Sequence, residues 1–269
     1  MKTRIISSLI MLPLLVLVLL GGVPLYCAIA VISFIAMYEF YKGFESMDIH
    51  PVRIAGYVFG AILLAVVFIY LFRGADREQL ATGLMVWLFL TVAVSLALSL
   101  FLKDCGIMDS VATITGVVYL PFFFVHVALI DGLPEHSNMK WLVFITAFCT
   151  DIFAYFAGML FGKHKLCPDI SPKKTIEGSI GGIAGSTCIS AVFGALVYPQ
   201  HVAGCVAIGV IGSVFAQCGD LIASSFKRKM GIKDYGNLIP GHGGILDRFD
   251  SVLLTAPLIY YYIVLFIDR

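Results

Sequence analysis

The side chains of this chain that could do chemistry gather in two stretches. One begins Asp151-Ile152-Phe153-Ala154-Tyr155-Phe156-Ala157-Gly158 and resumes at Ser171-Pro172-Lys173-Lys174-Thr175-Ile176-Glu177-Gly178. The other begins at Gly219-Asp220 and runs through Ser224-Ser225-Phe226-Lys227-Arg228-Lys229 and Lys233-Asp234. It then reaches Pro240-Gly241-His242-Gly243-Gly244 and ends at Asp247-Arg248-Phe249-Asp250. Asp247 and Asp250 are three residues apart, so a helix puts them on one face. Asp220, Asp247 and Asp250 are hard oxygen donors. Mg2+ takes one or two such carboxylates and completes its shell with water and substrate phosphates. The plainer reading of Asp247 is a cap on the helix it begins. Asp220 reads as the end of a span, where a negative charge is unfavourable and a cap does not explain it. Glycines 241, 243 and 244 allow close approach of backbone amides to a ligand, and successive amides ahead of a helix make an anion-binding nest. A tight turn is the plainer alternative. Lys227, Arg228, Lys229 and Lys233 suit phosphate, or merely an anionic membrane face. Acids, nest and bases together suit phosphoryl transfer, which is mostly positioning and charge neutralisation. Neither a Walker A pattern nor Gly-x-Gly-x-x-Gly occurs, which excludes those nucleotide-binding loops.

In the first stretch, Asp151 interrupts an apolar run, and an acid inside a membrane span marks function by default. Tyr155 follows it by one helical turn, on the same face. Ser171, Lys174 and Thr175 mix hydroxyl and ammonium donors, as a polyphosphate requires. An ordinary polar loop stopped by Pro172 is the alternative. Glu39, beside Tyr38 and Tyr41, is a further acid within apolar sequence. It reads equally as a functional group or as a packed polar contact.

The elements that position these groups are set by composition. Of 269 residues, 60% are hydrophobic and 13% charged, with a mean hydropathy of +0.97. Soluble domains carry roughly 25% charged residues, so a soluble domain is excluded. Disorder is excluded too, since it needs low hydrophobicity and high net charge. The seven cysteines are scattered, odd in number and form no Cys-x-x-Cys, so a disulfide scaffold is not indicated.

Charges divide the chain into neutral runs near the ~20 residues of a transmembrane helix. Uncharged but for Glu39, Lys42, Lys140 and Asp151, these are about 5–21 and 24–42, split by Gly21-Gly22-Val23-Pro24, then 54–72, 79–102, 110–130 with Pro121 as a kink, and 140–162. A 42-residue run at 178–219, broken at Tyr198-Pro199-Gln200-His201, reads as a helical hairpin, and 251–267 closes the chain. A cleaved signal peptide is the rival for the first run. The lack of a small-residue cleavage pattern favours a retained helix. The fold class is therefore all-α: a polytopic membrane protein of about nine helices. With the N-terminus cytoplasmic, 14 of the 18 basic residues fall on the cytoplasmic side, as the positive-inside rule requires. Spans 1–5 (residues 1–140) form an N-terminal region. Spans 6–9 (141–269) form a catalytic region with cytoplasmic loops 163–177 and 220–250. Those two loops hold 15 of the 35 charged side chains. Gly178/Gly182 and Gly181/Gly185 are small-x-x-x-small pairs that let helices approach closely.

The run from Ser224 to Asp250, with Lys227-Arg228, Lys233-Asp234, Gly236, Pro240-Gly241-His242-Gly243-Gly244, Asp247-Arg248 and Asp250 at intact spacing, resembles the signature of phosphatidate cytidylyltransferases (CDP-diacylglycerol synthases). Asp151, Tyr155, Gly158 and the 171–178 run are similar to that family as well. The resemblance implies condensation of CTP with phosphatidic acid to CDP-diacylglycerol and pyrophosphate. It also implies Mg2+, a second metal that in related members is K+, and a homodimer in the lipid bilayer whose site faces the cytoplasm. A bacterial inner membrane suits the short loops, and no nucleic acid is involved. The implied catalytic set is Asp220, Lys227, Arg228, Lys233, Asp234, His242, Asp247 and Arg248. Metal would rest on Asp220, Asp247 and Asp250. Substrate would rest on Asp151, Tyr155, Ser171, Lys174, Thr175, Glu177, Gly241, Gly243 and Gly244. The rivals are another CTP-using lipid enzyme (a CDP-archaeol synthase, or a polyprenol or phytol kinase) and a secondary transporter using Asp151, Glu39 and Asp220. A transporter predicts inverted repeats, and none is evident.

Overall fold

The computed structural model describes residues 13, 15–238, 241 and 243–267. Most of the 5–21 run, together with Pro240 and His242, lies outside the described residues. Eight helices among the described residues are long and apolar enough to cross a membrane. They are α1 (Gly22–Glu45), α2 (Arg53–Arg73), α3 (Arg77–Phe101), α4 (Ile107–Asp131), α5 (Ser137–Phe161), α6 (Ile176–Val197), α7 (Val202–Lys229) and α8 (Leu246–Ile267). They coincide with the neutral runs read from the sequence. The only strands among the described residues are β1 (Lys165–Cys167) and β2 (Ser171–Thr175). They pair antiparallel, with Lys165 opposite Thr175 and Cys167 opposite Ser171. The loop expected at 163–177 is thus largely a hairpin.

One boundary differs in a way that matters. Asp220 does not end a span, because α7 continues through Lys229. The polar run Ser224 to Lys229 resembles a loop by hydropathy, but lysine and arginine are good helix formers. Asp220 therefore sits in a helix interior, where the penalty of a negative charge at a helix end does not apply.

The chain divides into two compact units, Met1–Gly132 with Lys229–Arg248 and Leu133–Arg228 with Phe249–Arg269. In the first unit, α1 to α4 close on aromatic side chains with satisfied polar ends. Tyr41 is fully buried and donates to the Thr113 carbonyl at 2.9 Å. Its ring fills the space beside Gly56 and Gly116, where any Cβ would collide with it. Trp87 donates its indole N–H to the Phe59 carbonyl at 2.8 Å and stacks on Phe122, centroids 5.6 Å apart. The break expected at residues 21–24 is present as two consecutive positive-φ glycines, 62° at Gly21 and 55° at Gly22. L side chains avoid that region, so glycine is required there. Pro121 lies in a π turn, Val118–Phe122, whose wider ring relieves the missing amide. Along α3, Met85, Phe89, Leu100 and Phe101 are exposed, the apolar outer face a bilayer requires.

In the second unit, α5 and α6 cross with their backbones nearly touching. A Cβ at Gly178 would lie 2.7 Å from the Ala154 carbonyl oxygen, and one at Gly182 would lie 2.9 Å from that of Thr150. Gly209 of α7 meets Thr187 and Ser190 of α6 in the same way. The small-residue spacing thus sets helix separation. A π turn, Ile145–Cys149, ends immediately before Thr150 and Asp151. Such single π turns re-aim the residues that follow and recur at functional sites.

Candidate active site

The second unit gathers Asp151 of α5, Asp220 of α7 and Asp250 of α8. What brings the last two together is Gly219. A Cβ there would stand 2.6 Å from the Asp250 carbonyl oxygen and 3.3 Å from the Ser251 Cα. Only glycine lets the α7 and α8 backbones meet at this level. Asp250 is buried, 8% exposed, and Asp220, Asp151 and Lys227 all act on it electrostatically. The Ser251 hydroxyl is shared, 3.4 Å from Asp151 Oδ2 and 3.5 Å from Asp250 Oδ1. Ser224 donates to Asp220 Oδ1 at 3.2 Å, one helical turn on. Lys174 Nζ lies 2.5 Å from Asp220 Oδ2. It arrives from β2, so the hairpin delivers the cation that offsets the acids.

Asp151, Lys174 and Asp220 border a cavity of about 400 Å³ that Tyr155, Lys173 and Thr175 also line, within the range of small-molecule sites. Four of the expected substrate residues therefore share one cavity. Several expected residues also do scaffolding work. Thr175 caps α6 by accepting from the Gly178 amide at 3.1 Å. Glu177 accepts from the Lys163 amide at 3.1 Å, from the His164 amide, and from His164 Nδ1 at 2.6 Å, tying the end of α5 to the start of α6. Arg228 is exposed and donates Nε to the Ile170 carbonyl at 3.2 Å, which steadies the hairpin turn. Ser171 takes its place in β2 opposite Cys167.

In the first unit lie the remaining expected residues. Gly241 and Gly243 have φ of 78° and 82°, the positive values that a nest uses. Yet the Gly244 amide, one of those expected to meet phosphate, and three neighbouring amides donate to the chain's own carboxylates. The Gly244 and Tyr235 amides go to Asp247 Oδ2, at 2.9 and 2.8 Å. The Ile245 and Leu246 amides go to Glu39, at 3.0 and 2.9 Å. Asp247 thus does the capping that was the plainer reading of it. Lys233 and Asp234 are exposed. Arg248 keeps a buried Nε with no hydrogen-bond partner, a cation suited to an incoming anion. Sequence reasoning assigned no site role to Ser251, Ser224 or Gly219. Ser224 becomes visible as the i+4 neighbour of Asp220 once α7 is seen to continue, and Ser251 as the residue beside Asp250.

Among the described residues, no three His, Cys, Asp or Glu side chains form a ready metal cage. A cluster of dispersed carboxylates beside a lysine fits a cation that leaves most of its shell to phosphate and water, as Mg2+ does. It does not fit a tetrahedral zinc site.

An all-α membrane protein with carboxylates and lysine around one cavity defines a class of intramembrane enzyme that works on anionic substrates. The model of the cytidylyltransferase family matches residues 2–266, and the chain belongs to that family. It is 34% identical to a phosphatidate cytidylyltransferase of Staphylococcus haemolyticus over 262 residues, 96% of this chain and 95% of that one. It is 32% identical to the phosphatidate cytidylyltransferase of Bacillus subtilis, covering 99% and 98% of the two chains. One from Synechocystis is 34% identical, covering 97% and 96%.

Proposed function

We propose that this protein condenses CTP with phosphatidate to give CDP-diacylglycerol and pyrophosphate. The single observation that carries the reading is the cavity in which Lys174 meets Asp220 beside Asp151. The family to which the chain belongs supports it. A phosphatidate phosphate oxygen attacks the α-phosphorus of CTP. The bond from that phosphorus to the bridging oxygen breaks, and pyrophosphate leaves with the electron pair. The nucleophile is already anionic, so no strong base is needed. Asp220 and Asp250 would hold Mg2+, which supplies charge neutralisation at the phosphates. Lys174 and Lys227 add positive charge where negative charge accumulates. Tyr155 is exposed at the cavity and bounds the substrate. The same reading makes the protein a homodimer of the bacterial inner membrane with its polar site on the cytoplasmic side, as the sorting of basic residues supports.

The test is purified protein with CTP, Mg2+ and phosphatidate in mixed micelles. Label at the α-phosphate of CTP should enter lipid, with release of pyrophosphate. Label entering lipid only from the γ-phosphate would make the protein a kinase instead. A companion expectation concerns Lys174. Lys174→Met should lower kcat about 10²-fold, the scale of losing one charged stabiliser of the transition state. Lys174 Nζ is shielded from solvent although both side chains are 24% exposed, so its loss leaves a part-buried carboxylate unpaired and the thermal midpoint should fall by several degrees, a loss of about 1–3 kcal/mol. Steady-state kinetics and a melting curve in detergent check both halves.

A further inference from the structure

Glu39 has no part in the transfer chemistry proposed above, yet its placement is highly constrained. It sits in α1, 4% exposed, and lies 206 residues from the first amide it serves. Its two oxygens divide the work: Oε1 accepts from Ile245 and Oε2 from Leu246, at 3.0 and 2.9 Å. These are amides at the entry to α8, which have no partner within the helix and seek an acceptor from outside. Ordinarily the residue preceding a helix supplies that acceptor. Here it comes from another helix.

Two glycines are shaped around the same carboxylate. A Cβ on Gly236 would fall 2.4 Å from Glu39 Oε1, and one on Gly244 would fall 2.4 Å from Oε2. Neither glycine has a positive φ, so backbone conformation does not demand glycine at either position. The carboxylate does. The next residue after this entry, Asp247, takes the Gly244 and Tyr235 amides. Glu39 and Asp247 therefore take the Gly244, Ile245 and Leu246 amides between them.

We propose that Glu39 is a positioning residue. Its carboxylate is a resident anion on the amides that open α8, and it so fixes Asp247, which the family signature places in the catalytic set. This inference rests on the cytidylyltransferase reading for its kinetic consequence only. Its structural content stands independently.

The experiment uses the full chain in detergent, with four variants: Glu39→Gln, Glu39→Asp, Gly244→Ala, and Gly244→Ala combined with Glu39→Asp. Glu39→Gln retains one acceptor oxygen but sets an NH2 group against the second amide. It should lower kcat about 10-fold with KM for CTP within about twofold. Glu39→Asp keeps the charge but withdraws it from the amides, and should lower kcat further. Gly244→Ala should be severely impaired alone and less so when combined with Glu39→Asp, where the clash is relieved. Hydrogen exchange of the peptide 243–249 should quicken in Glu39→Gln at least about tenfold. Wild-type exchange together with wild-type kcat in Glu39→Gln and Glu39→Asp would overturn the proposal. So would faster exchange with a lowered melting point and an unchanged kcat, which would reduce Glu39 to a structural cap. If the wild type makes no CDP-diacylglycerol, the function reading fails, and the hydrogen exchange of 243–249 still judges the placement of Glu39.

Discussion

Asp250→Asn is expected to lower CDP-diacylglycerol synthesis about 10²–10³-fold, the scale of removing a principal electrostatic group from a site, while leaving the protein as stable as the wild type or more so. The two effects have opposite signs for one reason. Asp250 is buried beside two other acids, Asp220 and Asp151, with Lys227 as the opposing charge. Asparagine keeps the Oδ1 that accepts from the Ser251 amide at 2.8 Å, so no buried donor is orphaned. It removes a charge that is both desolvated and repelled. Such an arrangement is tolerated for function at the expense of stability. A melting curve in detergent with saturating Mg2+, alongside turnover, separates the two. A variant that is both less stable and fully active would make Asp250 an ordinary structural acid. The Mg2+ dependence is a second readout: the concentration giving half-maximal rate should rise in any residual activity of Asp250→Asn, because a carboxylate donor has been lost.

How far the site was legible follows from the kind of signal each part leaves. The spans were legible because each is a long neutral run between charges, and burial of backbone polar groups in lipid admits little besides helix. Asp151 was legible because a charge in apolar sequence is costly and conspicuous, and Lys174, Asp220 and Asp250 because they fall in the two stretches where charge concentrates. The course of α7 past Asp220 was not, because hydropathy reports where lipid ends and not where the helix ends. Nor was the π turn at Ile145–Cys149, since that stretch holds neither proline nor glycine. The hairpin was hidden by Pro172, which is compatible with a strand only at an edge. In a two-stranded sheet both strands are edges. The glycine-rich turn announced itself, but its occupant did not. No local pattern links Glu39 to amides some two hundred positions later, and an acid beside tyrosines in an apolar helix reads the same whether it binds ligand or backbone.

Gly219→Ala carries the second large expectation, because it tests geometry without touching a charged group. The added methyl would meet the Asp250 carbonyl oxygen at 2.6 Å. That neighbour is backbone, so no side chain can swing aside, and α7 and α8 must separate locally by a few tenths of an ångström to about 1 Å. A displacement of that size between groups that must act together costs about 10²-fold in rate. The accompanying overpacking costs about 1–3 kcal/mol of stability. Gly83→Ala is the control. Its Cβ would stand 2.9 Å from a methyl of Val66, a side chain able to yield, so activity there should stay within about twofold, as for a substitution away from any special feature. If Gly219→Ala kept wild-type kcat while Asp220 and Asp250 proved essential, the carboxylates would not need the close helix contact that now sets their spacing. The glycine would then serve packing alone. If kcat falls with KM for CTP little changed, the contact is part of the catalytic geometry, because what is lost is stabilisation made in the transition state and not in the bound substrate.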